Sequence, residues 1–328
     1  MRLFARLPVV AMLATAPLAL MSSFVNAQPF PTKPVRIVVP FAPGGSSEII
    51  ARAVAQKLTV QMGQQFIVDH KPGAAGNIAT AEVAKAEADG HTLILGHVGT
   101  FAVNPSLFGP KLPYDASKDF APVALLAKVP SVFVVASKVP ANTLPELVAL
   151  AKSKPGQLNY GSAGNASSGH LSFEYLKLTT GMDIQHIPYK GTGPQLQDLL
   201  GGRTDAASAG APPLMPHIKS GALKAIAVGT STRVPSLPNV PTVSEQGYPG
   251  FETSQWYGLL APAKTPANIV MKLAEEVGKA VVSPEVRAKF EQDGAGGGSG
   301  NSAEFASFIK AEQVRWADVI KRANIRAD

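Results

Sequence analysis

Hydrophobic positions along the chain alternate between short β-branched runs and longer stretches with an apolar residue every three or four positions. Residues 33–41 carry Val35, Ile37, Val38 and Val39 in one run, the pattern of a strand buried on both faces. The next stretch, 47–62, places Ile49, Ile50, Ala53, Val54 and Leu58 on one stripe and predicts a helix, capped by Ser46 or Ser47 with Glu48 in its first turn. A strand at 66–69, a helix at 78–86 and a strand at 91–96 complete a βαβαβ order, which implies a parallel sheet with right-handed crossovers. Extended runs at 120–126 and 131–136 are separated by Pro130, and the chain is expected to pass into a second domain near Lys128.

Beyond that point the pattern repeats. Helices are predicted at 143–153, 168–180, 194–200 and 214–219, and strands at 159–160, 185–188, 206–209 and 225–228. Pro194 suits a first helical position. Residues 234–250, rich in Pro, Ser and Gly, read as a return linker, and 256–261 reads as a strand rejoining the first domain. Helices at 266–282, 284–292 and 302–323 finish the chain, with the glycine-rich 294–300 as a flexible connector. Two α/β modules joined by two crossings predict a two-lobed clamshell with its cleft at the strand C-termini.

Three of the strand-to-helix turns are rich in glycine and serine: 42–48, 161–168 and 189–194. Such a turn leaves the first N–H groups of the helix pointing outward at the positive end of its dipole, a geometry that captures carboxylate or phosphate. Each helix end supplies roughly 0.3–1 kcal/mol, about 2 when partly buried. A micromolar ligand needs about 8 kcal/mol. Direct hydrogen bonds and desolvation on closure must therefore supply most of the affinity.

Composition narrows the function. The 328 residues contain no cysteine, which excludes disulfides, thiolate chemistry and Cys-ligated metal. Arg2 and Arg6, the apolar stretch 7–20 and the small residues ending at Ala27 read as a secretory signal, too short in its apolar core for a membrane span. The formal charge of +7 falls by two when Arg2 and Arg6 leave. Lys and Arg are scattered rather than clustered, which argues against a nucleic-acid partner and fits attraction of an anionic solute. The six histidines show no metal-ligand spacing, so no metal or other cofactor is expected. His97 and His170 lie beside the glycine turns. Phe41, Phe101 and Trp256 are candidates for stacking on a ligand, although aromatics beside strands are more often core. A hydrolase built on Ser162, His170 and Asp198 is imaginable, but no nucleophile elbow, Walker loop or zincin motif is present. No enzymatic activity is expected.

The stretch from Lys33 to Ser47 resembles the opening strand and turn of the Bug family, the extracytoplasmic solute receptors of tripartite tricarboxylate transporters. The likeness continues in order through Asn77 to Thr80, Asp89 to Leu93, Gly99 to Pro105, Tyr160 to Gly164, Pro188 to Gly191 and Leu237 to Thr242. It implies an α/β periplasmic-binding fold of the type II class, with a signal peptide at 1–27, one lobe from 28–127 and 251–328, and the other from 128–250. It implies a small organic carboxylate as ligand and membrane transporter subunits as partners, in the periplasm. A receptor that passes occupancy to a membrane sensor kinase would have the same sequence. By the resemblance, the first lobe grips through Ala42, Pro43, Gly44, Gly45 and Ser46, and the second through Tyr189, Lys190, Gly191 and Thr192. His97, Gly99, Thr100, Ser162, Ala163, Asn165 and Ser168 would line the rest. Glu48 stands where the family usually has Asp, which places it among the residues near the ligand.

Overall fold

In the run Val35–Val39 every residue but Arg36 is buried, because this strand, β1, sits inside a sheet with neighbours on both sides. The computed structural model describes residues 30–292, 294–323 and 325; the expected signal segment at 1–27 lies outside them. All that follows concerns the unit from Pro31 onward. Helix α1 (Ser46–Met62) follows β1 and stops at Gly63, whose left-handed φ of 69° lets its N–H reach Thr59 O. Then come β2 (Phe66–His70), α2 (Asn77–Ala84) and β3 (Thr92–His97). β1 pairs in parallel with both β2 and β3, as the βαβαβ pattern predicts. A π-helical turn at Gly99–Val103 leads into α3 (Asn104–Phe108).

The next element differs from expectation. Phe120–Ala136 is one continuous strand, β4, and not two runs broken at Pro130. Its front part pairs antiparallel with the strand from Ser254 to Pro262, ending at Pro130↔Ser254, while Ser131 onward pairs with two strands of the second half. Proline removes one ladder donor, and here it falls where the strand changes partners, so the chain crosses without a break. The change of pairing partner falls between Pro130 and Ser131, close to Lys128, where the chain was expected to pass into a second domain.

The second half contains α4 (Leu144–Ser153), β5 (Asn159–Ser162), α5 (Ser168–Thr180), β6 (Gln185–Pro188), α6 (Thr192–Leu200), β7 (Ala206–Gly210), α7 (Ala211–Lys219) and β8 (Leu223–Val228). Thr143 caps α4 by accepting the Glu146 N–H. The supposed linker at 234–250 is packed rather than loose. Leu237 and Val243 are buried, and Gln246 accepts from Leu144 N–H while donating to Ile226 O. β9 (Ser254–Pro262) then returns to the first half, followed by α8 (Ala267–Val281), α9 (Pro284–Gln292), β10 (Gly296–Ser299) and α10 (Ser302–Ala323). The sheet runs β2-β1-β3-β9-β4-β7-β5-β6.

The glycine-rich stretch near 294–300 is also not a free connector, since β10 pairs antiparallel with β4 at Gly296↔Lys128. A Cβ on Gly298 would overlap the Leu125 carbonyl, so glycine is needed for that approach. Among the described residues no helix is long and apolar enough to cross a membrane.

One buried carboxylate holds β9 in place. Trp256 Nε1 and Trp316 Nε1 both donate to Glu312 Oε2, at 3.1 and 3.2 Å, and Arg315 donates to Oε1 at 3.1 Å. Trp256 points toward α10, so by strand alternation Gln255 and Tyr257 point to the opposite face. Glu312→Ala leaves two buried indole N–H groups without an acceptor and should cost about 2–4 kcal/mol, read as a lowered urea midpoint. Trp316→Phe, which removes only one donor, should cost less.

Candidate functional site

Three helices begin without a full set of backbone partners, and all three begin at the same place. α1 has Gly45 at its N-cap in extended conformation, with no side-chain cap. The serines expected to cap it are instead its first two residues, Ser46 and Ser47. α6 begins at Thr192 behind Gly191, whose φ of 147° only glycine adopts readily. It starts two residues earlier than expected, so Pro194 is its third residue rather than its first. α5 begins at Ser168, with the Ser167 hydroxyl accepting the His170 N–H at 3.3 Å. These helices follow the ends of β1, β5 and β6, and their first turns share one cavity. Phe41, Ala42, Gly45, Ser46, Ser47, His97, Gln255 and Tyr257 line it from the first half. Ala163, Ser167, Ser168, Gly169, Thr192, Ser208 and Ala209 line it from the second.

The cavity measures about 20 Å³, room for little more than one water. It is small because two turns close over it. A Cβ on Gly191 would sit 2.9 Å from Ala42 Cβ, one on Gly44 3.1 Å from Gly193 Cα, and one on Gly45 3.2 Å from Thr192 Oγ1. A Cβ on Gly193 would sit 2.6 Å from the Pro43 carbonyl. The glycines read as an anion cradle therefore serve a second purpose: they let the backbones of opposite halves touch.

No Lys, Arg, Asp or Glu is found among the described lining residues. The positive character comes from helix ends alone. The buried hydroxyls of Ser168 and Ser208 have no hydrogen-bond partner, although buried hydroxyls ordinarily find one. Behind them, Tyr257 donates to Gln255 Oε1 at 2.6 Å. His97 accepts the Gly99 N–H on Nδ1 at 2.9 Å, which leaves its proton on Nε2. Its ring lies edge-on to Phe41, with centroids 5.0 Å apart. Burial pushes the His97 imidazole down to about 3, so it is neutral at neutral pH. Burial also raises the Tyr257 phenol well above its ordinary range.

Seven of the expected site residues line the cavity: Ala42, Gly45, Ser46, His97, Ala163, Ser168 and Thr192. Pro43, Gly44 and Gly191 form the clasp over it. The other seven lie outside the lining. Ser162 is engaged by His186 Nε2 at 2.6 Å. Thr100 bonds back to His97 O, and Gly99 supports the His97 ring. Tyr189 donates to Asp198 at 2.8 Å, and this buttressing with burial pushes its phenol up to about 12. Lys190 is exposed, because the turn places its side chain outward, and Asn165 is half-buried in the loop before α5. Glu48 turns back to accept the Gly44 N–H at 2.7 Å, so that amide is satisfied within the protein. The imagined hydrolase set is not assembled, since Asp198 is taken by Tyr189 and Arg203, and His170 stacks on His186. Phe101 and Trp256 are core, and of the three aromatics only Phe41 reaches the cavity.

Ser167 falls within the turn at 161–168 that was expected to line the cleft, whereas Ser47, Gly169, Ser208, Ala209, Gln255 and Tyr257 were missed by sequence reasoning. The run Ala206–Gly210 followed by a proline-bearing helix start was a fourth strand-to-helix turn and a usable signal. Gln255 and Tyr257 carry no local signal and enter only because β9, far along the chain, pairs with β3 and with the front of β4.

Residues 50–325 match the model of the tripartite tricarboxylate transporter family receptor, TctC. The chain belongs to this family. It is 37% identical over 303 residues to protein BugT of Bordetella pertussis, covering 92% of this chain and 93% of that one. Among solved structures, R. palustris Rpa4515 with adipate is similar at a TM-score of 0.88 and 38% identity, covering 90% of this chain and 99% of that one. MatC from Rhodopseudomonas palustris with bound malate gives a TM-score of 0.84 and 36% identity, covering 89% and 100%. These likenesses carry the two-lobed fold expected of a solute-binding receptor. The TctC receptor is thus a binding protein and not an enzyme.

His186 behaves like His97: burial, together with His170 beside it, pushes it down to about 3. In the unfolded chain both rings titrate near 6.5. The unfolded state therefore takes up protons first, and stability is full above about pH 6.5 and falls as the pH drops toward 3. Denaturant midpoints of the ligand-free protein should fall between pH 7 and pH 5. The fall should be shallower in His97→Gln with His186→Asn than in the parent.

Proposed function

We propose that this TctC receptor captures a small organic carboxylate in the periplasm and presents it to the membrane subunits of a tripartite tricarboxylate transporter. The observation that carries this reading is the meeting of three helix N-termini from both halves around one cavity, whose Ser168 and Ser208 hydroxyls lack partners. Helix ends of like sign repel one another, and an anion between them turns that repulsion into attraction. Adipate and malate, found with the two related structures, are anions of the corresponding class. A leader of the kind read at 1–27 delivers such a chain across the inner membrane.

The cavity is too small for a dicarboxylate to enter past the clasp, so binding requires the halves to part and close again. The chain passes between them within β4 at Pro130–Ser131 and again where Thr253 leads into β9 at Ser254. The backbone at the crossing is tied by Gly229 N–H to Ser131 O at 2.8 Å and Thr253 N–H to Gly229 O at 2.6 Å. Such a pair of crossings permits hinge motion while holding the halves in register.

Isothermal titration with adipate and malate at pH 7.5 should show binding of at least one acid in the micromolar range or tighter, and none of the matching diamide. Equal affinity for acid and diamide would overturn the reading. Gly191→Val places a branched side chain against Ala42 and should weaken binding by about 1–3 kcal/mol, roughly 5- to 150-fold, by blocking closure. Gly181→Ala is the control: its φ is also positive, at +67°, but nothing lies within 4 Å, so stability should drop without loss of affinity.

A further inference from the structure

The first-lobe turn is held from behind by two side chains that lie outside the cavity lining, His70 and Glu48. His70, at the end of β2, lies next to β1, in register with Val39. Its Nδ1 is 2.9 Å from the Phe41 carbonyl, and since a carbonyl only accepts, Nδ1 carries the proton. In the neutral ring Nε2 is then a bare lone pair. It is buried without a hydrogen-bond partner and faces Glu48 Oε1 at 3.6 Å. Glu48 uses its other oxygen to accept the Gly44 N–H at 2.7 Å, and Oε1 also accepts from Arg52 at 2.6 Å. His70 and Glu48 are thus tied to the two ends of the short segment from Phe41 to Gly44. That segment contains the cavity wall at Phe41 and Ala42 and the clasp at Pro43 and Gly44.

A lone pair facing a carboxylate is a contact that improves on protonation. Protonated, Nε2 donates to Glu48, and one cationic ring joins Phe41 O to the carboxylate that holds Gly44 N–H, closing a loop around the turn. The same proton offsets the Glu48 charge beside the start of α1, where negative charge opposes an incoming carboxylate. Both effects favour binding. The other charged groups around His70 are spoken for. Asp69 and Glu82 pair with Arg36 at 3.0 and 2.9 Å, Glu82 also pairs with Lys71, and Arg52 lies beyond Glu48. Burial works against the Glu48 charge, but the Gly44 N–H and Arg52 outweigh it and hold its carboxyl below the usual range, so it remains a carboxylate in neutral and mildly acidic solution.

We propose that His70 is a positioning residue for the anion site, acting through Glu48 and the Phe41 carbonyl to lock the Phe41–Gly44 turn, and that its protonation tightens the grip on the ligand. The proposal rests on the reading of the cavity as a carboxylate site, and deepens it with a proton dependence carried by residues outside the lining.

The test is titration with malate and adipate at pH 8.0, 7.0 and 6.0, corrected for ionisation of the acid. Affinity should rise at least threefold from pH 8.0 to 6.0 in the parent and stay flat in His70→Gln, which keeps a donor for Phe41 O but cannot take up a proton. Glu48→Gln retains an acceptor for Gly44 N–H and should also flatten the profile while binding at pH 8.0. Binding that is flat in the parent, or equally steep in both variants, overturns the proposal and leaves the carboxylate reading standing. Absence of any binding at every pH overturns the carboxylate reading instead, and a ligand-free measurement then decides the latch. The Gly44 amide NMR resonance should titrate with the same midpoint as the His70 ring, and that coupling should vanish in Glu48→Gln. A Gly44 resonance indifferent to His70 ends the proposal whichever acid binds.

Discussion

Everything in this receptor depends on an electrostatic conflict at the centre of the molecule. α1 from one half and α5 and α6 from the other begin around the same small cavity, so like partial charges face each other. In a low-dielectric interior such an arrangement is costly unless a negative group shares the space. No acidic side chain lines the cavity among the described residues, and two buried hydroxyls there lack partners. An anion small enough to lie between the helix ends would relieve that cost.

Closure adds a steric constraint to the electrostatic one. Gly44, Gly45, Gly191 and Gly193 let main chain touch main chain across the cleft, where any side chain would hold the halves apart. The helix starts of the two halves come together because the turns can meet, and they can meet because the residues lack Cβ atoms. β4 passes between the halves as one paired strand, and the second crossing, just before β9, is tied beside it through Gly229, so a hinge there would be narrow rather than spread along a linker. β9 further couples the two layers of the first half. Trp256 on one face is fixed to α10 through Glu312, and Gln255 and Tyr257 on the other face reach the cavity.

The departure at Glu48 acquires a meaning within this frame. The longer carboxylate does not line the cavity but folds back on Gly44 and satisfies an amide that an anionic ligand would otherwise seek. Its contacts to Arg52 and toward His70 extend the support of the turn to β2. The turn is shaped by groups behind it as much as by the glycines in it.

Much of this was legible along the chain. The β-branched runs determined the parallel strands, because a strand buried on both faces has little use for polar residues, and the glycine- and serine-rich turns determined which helix starts would present main-chain donors. Where sequence reasoning failed, the reason was contact between distant segments. Pro130 looked like a break until a change of pairing partner made it harmless, and the glycines near 296–300 looked like slack until β10 paired with β4, which comes too close to Gly298 for any Cβ. Tyr189 and Ser162 had the chemistry of ligand contacts, but Asp198 and His186 claimed them. Gln255, Tyr257 and Ser208 reach the cavity only because strands far apart in the chain lie side by side. The sequence by itself determined the kinds of elements and the kind of charge they would present, since both follow from local periodicity and local backbone freedom. Only the tertiary structure decided which donors converge, because convergence depends on pairing and packing between residues that local chemistry cannot connect.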